Sequence, residues 1–466
     1  MEATKQINKA KWYQVLGFSG NNAATNAMFL MLSLYFMVYC TEVYGFSPLL
    51  VGFIMTGTRL FDAVTDPLIG LAIDKTNTKF GRFRPWILGG AIFSAAMFVL
   101  MFSGIKLGSD TANLILVTVF YSLWVIGYTA QTACTKSAQT ILTSEPTQRS
   151  MLNALGTMNT LIIYMFSIAA LLPIVYASGG IQDGMAWRKA AMIIVGIQLV
   201  LTLFVILSLK SKDVKDNYMK LGIKELPKFK DYLSIFKENR ALQMLVVAAS
   251  TNKITQTMQS GLTVLFYVYV VQNQKLQGTV SIATLPLMII ATFVVVGLVK
   301  KFGRKEIFTL SSWGGFVYGI IAVFLISLNP SSMMWLILVM GINTILIAGA
   351  GDVNIISMIA DSADYEYYRN NRFVPGMIGT SFSFIDKVIS SFGSLITGAI
   401  LTGIGFVSIT ETPQSSKMFW GVLIMYFAFP AIGHLCSIIG MKFYPLDKKS
   451  HEKMLVDLAN KKEEVA

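Results

Sequence analysis

Apolar residues run along this chain in long blocks separated by short polar stretches. About 20 consecutive apolar residues carry a helix across the hydrocarbon of a bilayer. Twelve blocks of that order are predicted. Six lie at Ala23–Glu42, Pro48–Ala72, Trp86–Ile105, Thr111–Cys134, Met151–Ala177 and Ala186–Leu209. Six more lie at Ala241–Val271, Val280–Val299, Phe308–Ser327, Met333–Ala360, Pro375–Gly403 and Phe419–Phe443. The pattern holds no strand-length alternating segments, which excludes an outer-membrane barrel. The first block begins too late, and runs too long, for a cleaved signal peptide.

Lysine and arginine between the blocks orient them. The Asp74–Pro85 loop carries Lys75, Lys79, Arg82 and Arg84, and the Lys300–Lys305 loop carries Lys300, Lys301, Arg304 and Lys305. The stretch from Lys210 to Arg240 is basic throughout, whereas Thr41–Ser47 and Asn329–Ser332 carry no basic residue. This alternation predicts a multi-pass protein of the cell (inner) membrane with both termini in the cytoplasm. The basic stretch divides the chain into a bundle over 1–209, a linker over 210–240, a second bundle over 241–443 and a cytoplasmic tail over 444–466. The linker is expected to be a solvated face or a contact with anionic lipid.

The halves echo each other. Gly70-Leu-Ala-Ile-Asp74-Lys75 and then Gly81-Arg82-Phe83-Arg84-Pro85 follow the second block, and Gly303-Arg304-Lys305 follows the eighth. Such basic turns either latch helix ends through ion pairs, with Asp74, Arg82 and Arg84 as the first candidates, or simply obey the positive-inside rule. Their recurrence predicts an all-α integral membrane fold of twelve transmembrane helices in two pseudo-symmetric six-helix bundles. A duplicated transporter of this kind places its site between the halves near the midplane.

Composition agrees. Of 466 residues, 54% are hydrophobic and 14% charged, against about 25% charged in a soluble chain. The net charge of +13 sits at block borders, so no nucleic-acid partner is expected. Cys40, Cys134, Cys436, His434 and His451 are scattered and form neither a disulfide framework nor a metal-ligand spacing, so no cofactor is expected. No phosphate-cradling GxxxxGK[ST] is present, which argues against an ATP-driven pump. No GxSxG or HExxH set is present, so an enzyme is not expected.

Charges within the blocks carry the most information, since each costs about 2.5–3.5 kcal/mol at mid-helix. The second block holds Arg59, Asp62 and Asp66. The aspartates, four apart, share one helix face. Two close carboxylates in a low dielectric either hold a proton or bind a cation, which is what a coupling-ion site needs. The alternative is a structural ion-pair cluster with Arg59. In the fourth block Tyr128, Thr132 and Lys136 follow helical spacing and line one polar stripe, with Lys136 either in the cavity or snorkelling to the surface. The amides of Asn22 and Asn26 suit hydrogen bonding to sugar hydroxyls, or cap the first helix. In the second half Asp352 and Lys387 are the cavity candidates, with Asn252-Lys253 and Asp386 nearby in sequence pattern. Asp361, Asp364, Glu366, Arg369 and Arg372 are expected to be solvated loop charges.

The run Thr58-Arg59-Leu-Phe-Asp62-Ala-Val-Thr65-Asp66-Pro67, followed by Gly81-Arg82-Phe83-Arg84-Pro85-Trp86, resembles the glycoside–pentoside–hexuronide:cation symporters. These are similar to the melibiose permease and belong to the major facilitator superfamily. Tyr39-Cys-Thr41-Glu42-Val43, Ala360-Asp361-Ser-Ala-Asp364-Tyr365 and Lys387 add to the resemblance. It implies alternating access and sugar import driven by Na⁺, H⁺ or sometimes Li⁺. It also implies cation-site roles for Asp62, Asp66 and a hydroxyl at Thr129, with Thr132 beside them, and a cavity role for Lys387. Departures are informative. Asn26 stands where the melibiose-permease pattern has a sugar-binding aspartate. Thr132 replaces an aspartate, Lys136 a tryptophan, Thr157 an arginine and Asp352 a tryptophan. Galactoside specificity is therefore not implied.

The expected function is a secondary active symporter that imports a sugar or glycoside with Na⁺ or H⁺, acts as a monomer in the lipid bilayer and uses no cofactor. Lys136 for an aromatic, and Asn26 and Thr132 for acids, suggest an anionic sugar such as a uronide; Asp352 argues the other way. The alternatives are a carrier of a non-sugar solute on the same scaffold, a passive channel and a membrane-embedded enzyme.

Overall fold

The computed structural model describes residues 9–143, 145–214, 229–349, 352–370, 372 and 375–465. The chain divides into two compact units, one formed by Met1–Lys224 with Val407–Thr412, the other by Glu225–Phe406 with Pro413–Ala466. Among the described residues the secondary structure is helical, apart from an isolated bridge of Thr78 with Gly81.

The first unit holds α1 (Trp12–Tyr44), α2 (Pro48–Lys75), α3 (Arg84–Met101), α4 (Asp110–Ser137), the short α5 (Gln139–Leu142), α6 (Pro146–Ala177) and α7 (Gly184–Leu209). The second begins with α8 (Phe229–Glu238) and α9 (Arg240–Leu265), which runs on as a π turn over Phe266–Val270. It continues with α10 (Lys275–Phe302), α11 (Arg304–Leu328), α12 (Met333–Gly349), α13 (Asp352–Asn370) and α14 (Pro375–Ile404). It closes with α15 (Ser416–Leu423), a π turn over Ile424–Ala428, α16 (Phe429–Phe443) and α17 (Lys448–Val465).

Local chemistry sets the helix starts. Ser47, Ser109, Asn239 and Ser415 each accept a hydrogen bond from the backbone N–H three residues on, which satisfies a donor the helix leaves orphaned. Small residues set the packing, as expected where lipid is as apolar as the side chains. A Cβ on Gly90 of α3 would meet the Gly127 carbonyl oxygen of α4 at 2.7 Å, and one on Gly127 would meet that of Gly90 at 2.8 Å.

Nine helices among the described residues are long and apolar enough to cross a bilayer. The other three predicted spans coincide with α2, α9 and the α12–α13 pair. In α2 and α9 polar residues dilute the apolarity, whereas α12 is apolar but short, with Met333–Ile347 the described apolar stretch. Large side chains such as Phe293, Leu310, Phe324 and Met334 stand exposed on the helix flanks, as contact with acyl chains requires.

The block Met333–Ala360 is covered by α12 and the first part of α13, with residues 350 and 351 between them outside the described residues. Two expectations are corrected. The linker is not solvated along its whole length. Residues 215–228 lie outside the described residues, but α8 buries Ile235 among Leu242, Ile378 and Tyr444. Nor are the acids near 361 solvated loop charges. Asp361 is buried and ion-paired with Arg304, with His451 Nε2 at 3.1 Å. Buried Glu366 accepts from Asn239 at 3.0 Å and from Asn370 at 2.8 Å.

Each unit clasps its basic turn with the chain that follows its last span. Asp213, just beyond α7, is 0% exposed and accepts from the backbone N–H groups of Arg82, Phe83 and Arg84 at 2.8–3.3 Å. Arg84 Nε lies 3.5 Å away. Gly81, at φ +96°, is required there because a Cβ would sit 2.4 Å from Asp213. In the second unit Lys305 Nζ donates to the Tyr444 carbonyl, just beyond α16, at 2.6 Å. Lys448 N donates to Glu306 Oε1 at 3.2 Å.

Candidate functional site

The second predicted block folds as α2 and carries Arg59, Asp62 and Asp66 along one side. Asp62 is 1% exposed. Thr129 of α4 donates its hydroxyl to Asp62 Oδ1 at 2.8 Å. Arg59 Nη1 stands 3.7 Å from Asp62 Oδ2, beyond the 2.7–2.9 Å of a charge-assisted hydrogen bond. The guanidinium, 29% exposed, also lies over the Phe29 ring of α1 at 4.3 Å from its centroid. Asp66, one turn on, is half-buried. Tyr128 of α4 is within electrostatic reach of Arg59, Asp62 and Asp66.

An aromatic step leads away from these charges. Phe29 and Tyr128 stack with centroids 6.0 Å apart, and Tyr128 stacks on buried Trp124 at 4.9 Å. On α1, Asn22, Asn26 and Phe29 fall at i, i+4 and i+7 and so share a face; all three are half-buried. Asn26 Nδ2 donates to the Asn22 side-chain oxygen at 3.1 Å, and Asn22 Nδ2 to Thr160 Oγ1 of α6 at 3.1 Å. Carboxylates, a guanidinium, amides, hydroxyls and two ring faces thus come from α1, α2, α4 and α6 of one unit. Hydroxyl and carboxylate oxygens are ligands a hard cation prefers. Amides beside apolar ring faces suit a polyol with C–H edges.

Not every candidate joins this group. Thr132 donates its hydroxyl to the Tyr128 and Thr129 carbonyls of its own helix at 3.0 and 3.2 Å, the usual choice of a threonine inside a helix. The side chains of Asp74, Lys136 and Asp352 lie outside the described residues. Arg82 and Arg84 belong to the Asp213 clasp. Lys387 of α14 is half-buried. Sequence reasoning missed Phe29, Trp124 and Thr160, which look like ordinary membrane-helix residues without their partners. It also missed a buried amide network beneath the site. Gln131 donates to Thr202 at 3.0 Å, Gln198 to Gln131 at 3.1 Å and Asn21 to Thr135 at 2.8 Å.

Residues 17–448 match the family model described as MFS/sugar transport protein. The chain belongs to this family. Its helical fold agrees with that of a bacterial homologue of the human lysosomal transporter Spinster (TM-score 0.63, 12% identity, 96% of this chain and 99% of that one). Among its relatives is an isoprimeverose transporter of Lactiplantibacillus pentosus, 27% identical over 97% of this chain and 92% of that protein. Another is a glucuronide carrier protein homolog of Escherichia coli K12, 24% identical over 97% of this chain and 96% of that protein. This member of the sugar transport family is thus a transporter and not an enzyme, and it spans the membrane several times.

Proposed function

We propose that the chain is a secondary symporter that carries a sugar or glycoside into the cell with Na⁺ or H⁺. The relatives named for isoprimeverose and glucuronide transport support a sugar as cargo. The observation that carries the coupling is the Thr129 hydroxyl on a buried Asp62 carboxylate, with Asp66 a turn away and Arg59 3.7 Å off. An ion at Asp62 and Asp66 offsets their repulsion and steadies α2 against α4. The aromatic step and the Asn22–Asn26 face next to it then receive the sugar, so each ligand raises the affinity for the other, as linkage requires. The basic loops support a cytoplasmic location for both termini in the cell membrane, and the carrier is read as a monomer.

The test is uptake into membrane vesicles of radiolabelled xyloside and glucoside, with an imposed Na⁺ or proton gradient. Wild type accumulates substrate above the external concentration. Asp62→Asn and Asp66→Asn lose accumulation while retaining equilibration or exchange. Accumulation undiminished in both variants overturns the coupling assignment.

A further inference from the structure

The second unit holds an ion pair that the cation site does not use. Lys253 lies midway along α9 and Asp386 in the first half of α14. Their charged atoms are 2.6 Å apart. Asp386 is 4% exposed and its other oxygen accepts from the Ser250 hydroxyl at 3.0 Å. The Lys253 side chain, by contrast, is 49% exposed. The acid is the buried anchor and the ammonium the presented end.

The surroundings say what that end faces. On α9, Lys253, Gln256, Thr257 and Ser260 fall at i, i+3, i+4 and i+7, and all four are exposed or half-buried. A polar face at mid-helix that opened on acyl chains would be costly, so it opens on water. On α14, Ser383, Lys387 and Ser390 repeat the pattern, each half-buried. Away from their ends, the charged residues of α9 and α14 are Lys253, Asp386 and Lys387. An ammonium has three donors, and Asp386 takes one of them.

We propose that Lys253, positioned by Asp386 and Ser250, is the specificity-determining residue that receives the carboxylate of an anionic sugar, a uronide. This rests on the sugar-symporter reading. A carboxylate docking on the water side adds a second charge-assisted bond to an ammonium already held in place, so little side-chain freedom is lost on binding. A neutral sugar presents a hydroxymethyl group at the same point and gains less.

The experiment compares p-nitrophenyl β-D-glucuronide with p-nitrophenyl β-D-glucoside, which differ only in carboxylate against hydroxymethyl. Affinities are read by ligand-induced thermal shift on purified full-length protein. Wild type is expected to prefer the glucuronide by at least about tenfold, the scale of one hydrogen bond to a charged group. Removing Lys253 alone would leave a buried acid unpaired, so the informative variant is K253M/D386N. In it the glucuronide-to-glucoside ratio falls to about one, while K253R keeps most of the preference. Equal affinity for the two sugars in wild type, or an unchanged ratio in K253M/D386N, overturns the inference and leaves sugar transport standing. Binding of neither sugar by wild type likewise overturns the inference, and the vesicle uptake experiment then decides the sugar-symporter reading separately.

Discussion

At Asp62 the two carboxylate oxygens have different neighbours. Oδ1 takes the Thr129 hydroxyl at 2.8 Å, whereas the nearest guanidinium nitrogen stays 3.7 Å from Oδ2. The contrast between two threonines one turn apart gives a prediction. Thr129→Ala removes one hydrogen bond to the carboxylate and raises the cation level for half-maximal uptake roughly two- to tenfold. Thr132→Ala removes a hydroxyl bonded to its own helix and shifts that level less than about twofold. Cation titration of sugar uptake in vesicles checks both; equal shifts in the two variants would break the assignment. The charged residues of this site were legible in the sequence, since ionisable groups in apolar blocks are rare. Phe29 was not, because its role depends on Arg59 lying over its ring, a contact between different helices.

Among the elements, α17 shows how a tail becomes part of a unit. The sequence predicts a polar segment after the last span, and the helix forms because Asp447 caps it. Asp447 Oδ1 accepts from Ser450 N at 2.8 Å. Side contacts then seat it: Met454 is buried in the core of the unit, and Tyr368 donates to Asp457 at 3.0 Å. The hydrogen bonds from Ser450 hold the Asp447 carboxyl below its ordinary range. A depressed carboxylate contributes stability that is present above the unfolded value, near 4, and is lost as pH falls through the lower folded value. Release of α17, read as proteolysis of the tail, is therefore flat from pH 7 to about 5 and rises below about 4. Asp447→Ala weakens the cap by about 1 kcal/mol and abolishes that acid-dependent step; an unaltered pH profile in the variant would refute the capping role. The spans themselves were legible from apolar length. The linker's α8 was hidden by the lysines around buried Ile235.

For the whole molecule, the same solution recurs in both units. Chain that leaves the last span returns to the basic turn after the second span of that unit: Asp213 to Gly81–Arg84, and Tyr444 with Lys448 to Lys305 and Glu306. The repeated turns were legible as sequence, but their clasp was not, since Asp213 lies about 130 residues from its partners. Positive-inside topology alone would place lysines and arginines there without needing a buried acid. The acid's completeness argues that the turn is built as a joint. Three consecutive backbone N–H groups at the start of α3 find their acceptor in one carboxylate, which also balances Arg84. Asp213→Ala leaves those donors buried without a partner and lowers stability by about 1–3 kcal/mol. Asp213→Asn keeps an acceptor oxygen and loses less. Thermal unfolding of the purified variants, followed by the fluorescence of buried Trp124 and Trp187, reports the difference. If the two substitutions prove equally mild, the turn is held by its own backbone and the clasp is incidental; if alanine is the worse of the two, the carboxylate is what joins the end of α7 to the start of α3.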